Sequence, residues 1–267
     1  MEIKHFHRAT SLQDAHETLV QDPSNIVLGG GLWVKKVNAS ANTLIDLSDL
    51  KLDQIKDTQN QLEIGAMVNL RDFETHPAVK SLNGGFLSHA VGQIMGVGFR
   101  RLATVGGTVA GRFAFSDLLT PLLTLDVTLI FFPKKEMSLE QYLNAKGKTT
   151  DILTTIIIKK EPGIGYFKKV SNTVLDFAIL NIAVTHFKGK YVIAVGARPA
   201  GSILALKAME YLNAQKNPGL AEFEKAAELT SEALGFLTTS TGSESYRKSL
   251  ARTYVRRGLE EVAHHEG

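Results

Sequence analysis

No cysteine occurs anywhere in the 267 residues, which excludes disulfides and any iron–sulfur cluster held by this chain's own thiolates. Iron–sulfur chemistry, if the protein takes part in any, belongs to another subunit. Long apolar runs are missing as well. The greasiest stretch, 118–132, contains Pro121 and Asp126 and is too short to span a bilayer. Met1-Glu2-Ile3-Lys4-His5-Phe6 leads into polar sequence instead of the apolar core of a secretory leader. The chain is therefore expected to be soluble and cytoplasmic, with no membrane partner. Charge of one sign is scarce, since 30 Lys and Arg against 27 Asp and Glu leave a net +3. Apart from Arg247, Lys248, Arg252, Arg256 and Arg257 the basic residues are dispersed. Without a concentrated basic stripe, nucleic acid is not an expected partner.

Catalytic and metal-binding patterns are also lacking. Of the 8 histidines, His5 and His7 would share one face of a strand, and His264-His265 stand near the C-terminus. None has H-E-x-x-H spacing, and no acidic residue sits at a metal-ligand offset, so they read as surface or satisfied histidines. No Ser-His-Asp arrangement has a supporting context such as G-x-S-x-G. No catalytic residue and no metal ligand is assigned.

What is present is enough apolar residue, 44% of the chain, for a sizeable core and two domains. Ser11-Leu12-Gln13-Asp14 has the form of a helix start, and Leu12, Ala15, Leu19 and Val20 continue it at helical spacing. Strands are expected at 25–28, 43–47, 62–66, 127–132, 152–158 and 191–195 from their alternating or β-branched character. Helices are expected at 69–74, 86–95, 220–237 and 246–262, and 177–184 fits either period. The texture changes at Pro162-Gly163, where the domain boundary is placed.

Two glycine-rich loops are the features that carry chemistry. The first is Val27-Leu28-Gly29-Gly30-Gly31-Leu32-Trp33, and the second is Ala103-Thr104-Val105-Gly106-Gly107-Thr108-Val109, with Ser116-Asp117 shortly after. Glycine lets a ligand approach the main chain, and successive N–H groups in such a turn form a concavity for an anion. Two such concavities brought together suit the two phosphates of a dinucleotide such as FAD. The first loop lacks the G-x-G-x-x-G spacing of a Rossmann fingerprint, and taken alone a triple glycine after a strand is more often a tight turn. The second nearly reads as a P-loop, but Arg112 and Phe113 stand where lysine and Ser or Thr are required, so nucleotide hydrolysis is not expected. A β-bulge or turn at a strand crossing is its bland alternative.

Taken in order, Gly29-Gly30, Ile64-Gly65-Ala66, Arg101 with Thr104-Val105-Gly106-Gly107, Ser116-Asp117 and Pro121-Leu122-Leu123 resemble the FAD-binding subunits of molybdenum hydroxylases. These are the flavin subunits of the xanthine dehydrogenase and carbon monoxide dehydrogenase type. Tyr166-Phe167-Lys168-Lys169 with Asp176 and Ala178, Gly196-Ala197-Arg198-Pro199, and Ser243-Glu244-Ser245-Tyr246-Arg247 with Arg256-Arg257 extend the resemblance over nearly the whole chain. It is similar above all to short, stand-alone bacterial flavin subunits.

The resemblance implies an α+β fold: a two-part FAD-binding domain of the vanillyl-alcohol-oxidase type over 1–161, with lobes of about 1–53 and 54–161, and a smaller α/β domain over 162–267. It implies cofactor contacts from Leu28, Gly29, Gly30, Gly31, Leu32 and Trp33, and from Thr104, Val105, Gly106, Gly107 and Thr108. Ser116 and Asp117 would bond phosphate or sugar-chain hydroxyls, Ile94 would pack on the cofactor, and Leu153 and Lys168 would contact the flavin. It further implies an electron-transfer flavoprotein that works only in a complex. The partners are an iron–sulfur subunit and a molybdenum-cofactor subunit, and the electrons go to an acceptor such as NAD. Three departures bear on affinity: Gly31-Leu32 replaces a Thr-Asp pair, Thr108 replaces an asparagine, and the basic residue usual a few positions after Lys168 is replaced around Asn172-Thr173. A self-contained flavin oxidoreductase and a flavin-less assembly subunit keeping the fold are the alternatives.

Overall fold

The computed structural model describes residues 2–34, 40–147 and 149–264. By compactness the chain divides into two units, and not at a single cut. One unit holds residues 1–73, 96–111 and 127–159; the other holds 74–95, 112–126 and 160–267.

The first unit contains two sheets. Strands β1 (Glu2–Arg8), β2 (Ile26–Leu28) and β3 (Ser40–Asp46) form a parallel sheet in the order β1-β3-β2. The helix Leu12–Gln21 links the first two strands, with Ser11 accepting from the Asp14 N–H as its N-cap. Its Ala15 packs with Ile45 and Ile152 in a small core. The second sheet is antiparallel, in the order β4-β5-β8-β6-β7, from β4 (Ile55–Asp57), β5 (Gln61–Gly65), β6 (Val127–Phe132), β7 (Lys135–Ser138) and β8 (Ile152–Lys159). Val127, Leu129 and Phe131 alternate inward along β6, the period expected of a strand with one covered face.

The second unit is built on an antiparallel sheet, β12-β11-β10-β9, from β9 (Ile164–Val170), β10 (Leu180–Phe187), β11 (Lys190–Gly196) and β12 (Ile203–Leu204). The stretch 177–184, ambiguous by period, resolves as strand from Leu180 onward. β10 is buried from Leu180 to His186 because both faces are covered, which erases the alternation that would have identified it. Ile182 and Val184 join the core made by the helices Leu206–Asn213, Leu220–Ala233 and Glu244–His264. Asn181 and Thr185 point the other way, where Thr185 Oγ1 donates to the Thr124 carbonyl at 3.0 Å and Phe86 lies against Gly165 of β9. The helix expected to reach Leu237 stops at Ala233, and the Leu237 N–H donates instead to the Arg198 carbonyl at 2.9 Å.

Candidate functional site

The two glycine loops lie against each other within the first unit. Leu28 closes β2 by pairing with Asp46, and Gly29-Gly30-Gly31 turns the chain away from it. Space, more than backbone conformation, demands these glycines. A Cβ on Gly30 would stand 1.8 Å from the Leu102 carbonyl oxygen, and one on Gly29 would stand 2.8 Å from Thr104 Oγ1 and 3.5 Å from the Gly107 Cα. In this loop only Gly31, at φ 73°, uses the left-handed region.

The second block is helical. Ala103 leads into the helix Val105–Gly111, where a turn or bulge was the bland expectation. Its first N–H groups are held by tertiary contacts: Val105 donates to Val68 O at 2.8 Å and Gly106 to Ala66 O at 2.9 Å. A Cβ on Gly106 would lie 2.5 Å from that of Ala66, so the Ile64-Gly65-Ala66 motif and the second glycine block are two sides of one contact. Gly107 donates to Thr104 Oγ1 at 3.0 Å and Thr108 to Thr104 O at 3.0 Å. The N–H groups from Val105 to Thr108 are thus all committed, and this block does not form the open concavity of donors its sequence suggests. It offers the bare face of Gly107, which is exposed, and the hydroxyl of Thr104, whose own hydrogen is left to donate. The Thr108 hydroxyl is spent on the Thr104 carbonyl at 2.8 Å.

The Ser116-Asp117 pair sits in the second unit and is sealed. Asp117 is 6% exposed. One carboxylate oxygen lies 3.1 Å from Lys169 Nζ, and the other accepts from Asn181 Nδ2 at 2.8 Å. Lys169 Nζ donates in turn to the Gln93 carbonyl at 3.1 Å, and Asn181 Nδ2 also reaches Ser116 O at 3.3 Å. Ser116 Oγ accepts from the Leu119 N–H at 3.2 Å, at the start of the helix Leu119–Leu122. Burial pushes the Asp117 carboxyl above its ordinary range, with the Lys169 ammonium and the Asn181 amide pulling the other way.

The remaining expected residues are distributed between the units. Leu153 is buried on β8 opposite Phe131, beside a register shift in the β6–β8 ladder. Ile94 follows the helix Phe86–Gly92, its N–H bonded to Val91 O at 3.0 Å, and precedes Met95 at φ 46°. Lys168 lies 5.4 Å from the centre of the Tyr254 ring, on the face of β9 opposite to Lys169. The partners of Asp117, namely Lys169 and Asn181, and the Gln93 carbonyl that accepts from Lys169, escaped the sequence reading. Strand alternation was the available signal: once Phe167 faces inward, Lys169 must face inward with it. The basic cluster near the C-terminus is no open patch. Arg247 is 1% exposed, bonded to the Ile179, Ala197 and Leu237 carbonyls and to Thr239 and Thr241. Lys248, Arg252 and Arg256 pair with Glu244, Glu224 and Glu260. His265 lies outside the described residues.

The glycine-loop region fits a pyrophosphate. Among the described residues, none accepts a hydrogen bond from the backbone N–H groups of Gly29, Gly30, Gly31 or Leu32. Those groups and the Thr104 hydroxyl make a neutral donor set, next to a glycine face that any side chain would fill. Among the described residues no cluster of three or more His, Asp or Glu suits a metal, and no helix is long and apolar enough to cross a membrane.

Comparison with known proteins agrees in the same direction. The family described as "FAD binding domain in molybdopterin dehydrogenase" matches residues 1–160, and "CO dehydrogenase flavoprotein C-terminal domain" matches 165–262. The uncharacterized protein YgfM of Escherichia coli K12 is 31% identical over 188 residues, covering 68% of this chain and 69% of that protein. The nicotinate dehydrogenase FAD-subunit of Eubacterium barkeri is 26% identical over 152 residues, 52% of this chain and 51% of its own length. The crystal structure of quinoline 2-oxidoreductase from Pseudomonas putida 86 superposes with a TM-score of 0.87 at 22% identity, covering 97% of this chain and 96% of that one.

Proposed function

The chain belongs to the family of FAD-binding subunits of the molybdenum hydroxylases, and from that premise we propose that it is the electron-transfer subunit of a cytoplasmic, heteromeric oxidoreductase. In this reading one partner chain holds iron–sulfur clusters, another holds the molybdenum cofactor, and NAD or a similar acceptor takes the electrons. The absence of cysteine supports such a division of labour, because the clusters need thiolates from elsewhere. The domain division we carry forward is 1–161 and 162–267, supported by the spans of the two family matches.

The observation that carries the function is the contact of the two glycine loops around the Thr104 hydroxyl. When bound, FAD supplies the redox chemistry, and the protein supplies binding, orientation and electrostatics. Leu28 through Trp33 and Thr104 through Thr108 are assigned to the pyrophosphate: N–H groups of the first loop and the Thr104 hydroxyl donate, and Gly107 admits the phosphate to the backbone. Ile94 and Leu153 supply apolar contact, and Lys168 favours negative charge on the ring. Ser116 and Asp117, expected at phosphate or sugar-chain hydroxyls, complete the assignment, Ser116 by its hydroxyl and Asp117 through the groups it holds. No acid or base is assigned, since the role asks for electron transfer and not proton abstraction.

Purification of the chain, release of its chromophore by denaturation and chromatography will test this. The expected result is non-covalent FAD. Recovery of FMN, or of a flavin that stays with the denatured chain, overturns the assignment. A colourless chain that takes up no FAD favours the assembly subunit, a reading to which the committed Thr108 hydroxyl lends its one specific support. Rapid reduction by an organic donor without partners favours the self-contained flavoenzyme.

A further inference from the structure

A buried charge pair is a costly way to hold a fold together, because desolvation of both ions offsets most of their attraction. Asp117 and Lys169 form such a pair, with side chains 6% and 4% exposed. Lys169 does more than neutralise the carboxylate. Its ammonium donates to the carbonyl of Gln93 at 3.1 Å, across 76 positions of sequence. Gln93 ends the helix Phe86–Gly92, and the next two residues are Ile94 and Met95. Met95 adopts the left-handed conformation at φ 46°, which a side chain with a Cβ holds only when its surroundings impose it. The Gln93 and Ile94 N–H groups close the turn on Ala90 O and Val91 O at 3.1 and 3.0 Å. Asn181, fully buried, fixes the carboxylate from the other side at 2.8 Å.

We propose that Asp117 acts on flavin binding as a positioning residue: it anchors Lys169, Lys169 holds the Gln93 carbonyl, and the turn so fixed presents Ile94. Both carboxylate oxygens already have partners, and the group is sealed from solvent, so its geometry suits an anchor better than a contact to a sugar hydroxyl. This role rests on the FAD-binding function proposed above, and the experiment separates the two.

The parent chain, Lys169→Met and the double variant Asp117→Asn/Lys169→Met are compared by amide hydrogen exchange without cofactor, and by titration with FAD and with ADP. ADP lacks the flavin ring but keeps the pyrophosphate. Loss of the tether should weaken FAD binding by about tenfold in both variants and leave ADP binding within about twofold, given the usual worth of a charge-assisted hydrogen bond. Exchange at Gln93 and Ile94 should accelerate, while the amides of β10 keep their protection. The double variant leaves no unpaired charge and guards against simple unfolding of the single one. Unchanged FAD affinity and unchanged exchange at Gln93 and Ile94 in both variants would overturn the positioning role. Equal losses for FAD and ADP would also overturn it, since they point away from the ring. If the parent binds no flavin, the functional reading fails, and the exchange comparison still decides whether Lys169 holds the turn.

Discussion

The two places where this chain gathers polar groups are built on opposite terms. In the first unit, the glycine loops present neutral backbone donors and one hydroxyl at a partly open surface, and the construction depends on side chains that are missing. In the second unit, Asp117, Lys169 and Asn181 are fully formed, charged or strongly polar, and shut away from water. The first arrangement can take an anion because no described residue accepts from the N–H groups of Gly29 to Leu32. The second is closed to solvent and leaves Asn181 Oδ1 without a partner among the described residues, and its effect is passed on through the groups it holds.

The largest effect should come from breaking the charged arrangement. Asp117→Ala strands the Lys169 ammonium in a buried site and should cost about 3–5 kcal/mol of stability, measurable by urea unfolding. Asp117→Asn should cost less, since it keeps the shape. The parent should also respond to pH. With the folded carboxyl raised above its unfolded value, the folded state binds the proton more tightly. That contribution is fully present below the unfolded value and is lost as pH rises through the raised one. Asp117→Asn should flatten this segment of the stability–pH curve, and an unchanged curve would mean that Asp117 does not titrate there.

Crowding the neutral arrangement should come next. Gly30→Ala drives a Cβ onto the Leu102 carbonyl at 1.8 Å, and overpacking of that kind costs about 1–3 kcal/mol, with flavin binding lost. Gly107→Ala meets the Thr104 hydroxyl at 2.8 Å and the Gly29 Cα only at 3.9 Å, so it should cost less stability than Gly30→Ala and bind FAD more weakly than the parent. Thermal melts with flavin titration distinguish the two, and equal stability would refute the idea that space dictates Gly30.

A smaller gain should follow from restoring a donor. Thr108→Asn replaces a hydroxyl already spent on Thr104 with an amide that can reach outward. It should tighten FAD binding by roughly fivefold, the value of about 1 kcal/mol for one hydrogen bond. Fluorescence titration reads this directly, and a weaker complex would show that the position does not face the cofactor. The smallest effect belongs to Arg252→Ala. Its exposed partner Glu224 keeps Arg256 at 3.3 Å, so the melting temperature should not move.

Local signals in the sequence were informative where a requirement was itself local. The helix cap at Ser11, the alternation in β6 and the β-branched run of β8 placed elements correctly. The long amphipathic pattern did the same for the helix Glu244–His264. The strand β9 and the helix Leu206–Asn213 went unassigned, the former because its lysines mask a period-2 pattern. Val105–Gly111 is a helix despite three glycines, since its leading N–H groups are held by Ala66 and Val68. Helix propensity alone would not have produced it.

By itself the sequence determined the family, the α+β class and the two glycine blocks, because close backbone approach leaves its mark as glycine at the very positions that need it. It also determined that no cluster can be ligated by this chain's thiolates, because composition alone settles that. Only the tertiary structure decided how the polar groups are used. It showed that the second block's N–H groups are committed, that Gly29 meets Gly107 across Thr104, and that Lys248, Arg252 and Arg256 pair with carboxylates of their own helix and of the helix Leu220–Ala233. It also decided which of two adjacent lysines meets Asp117. Those outcomes depend on partners far apart in sequence, Asn181 and Asp117 by 64 positions and Lys169 and Gln93 by 76. A side chain's protonation and free hydrogen-bonding capacity are set by what lies beside it in space, and nothing in the local order of residues records that.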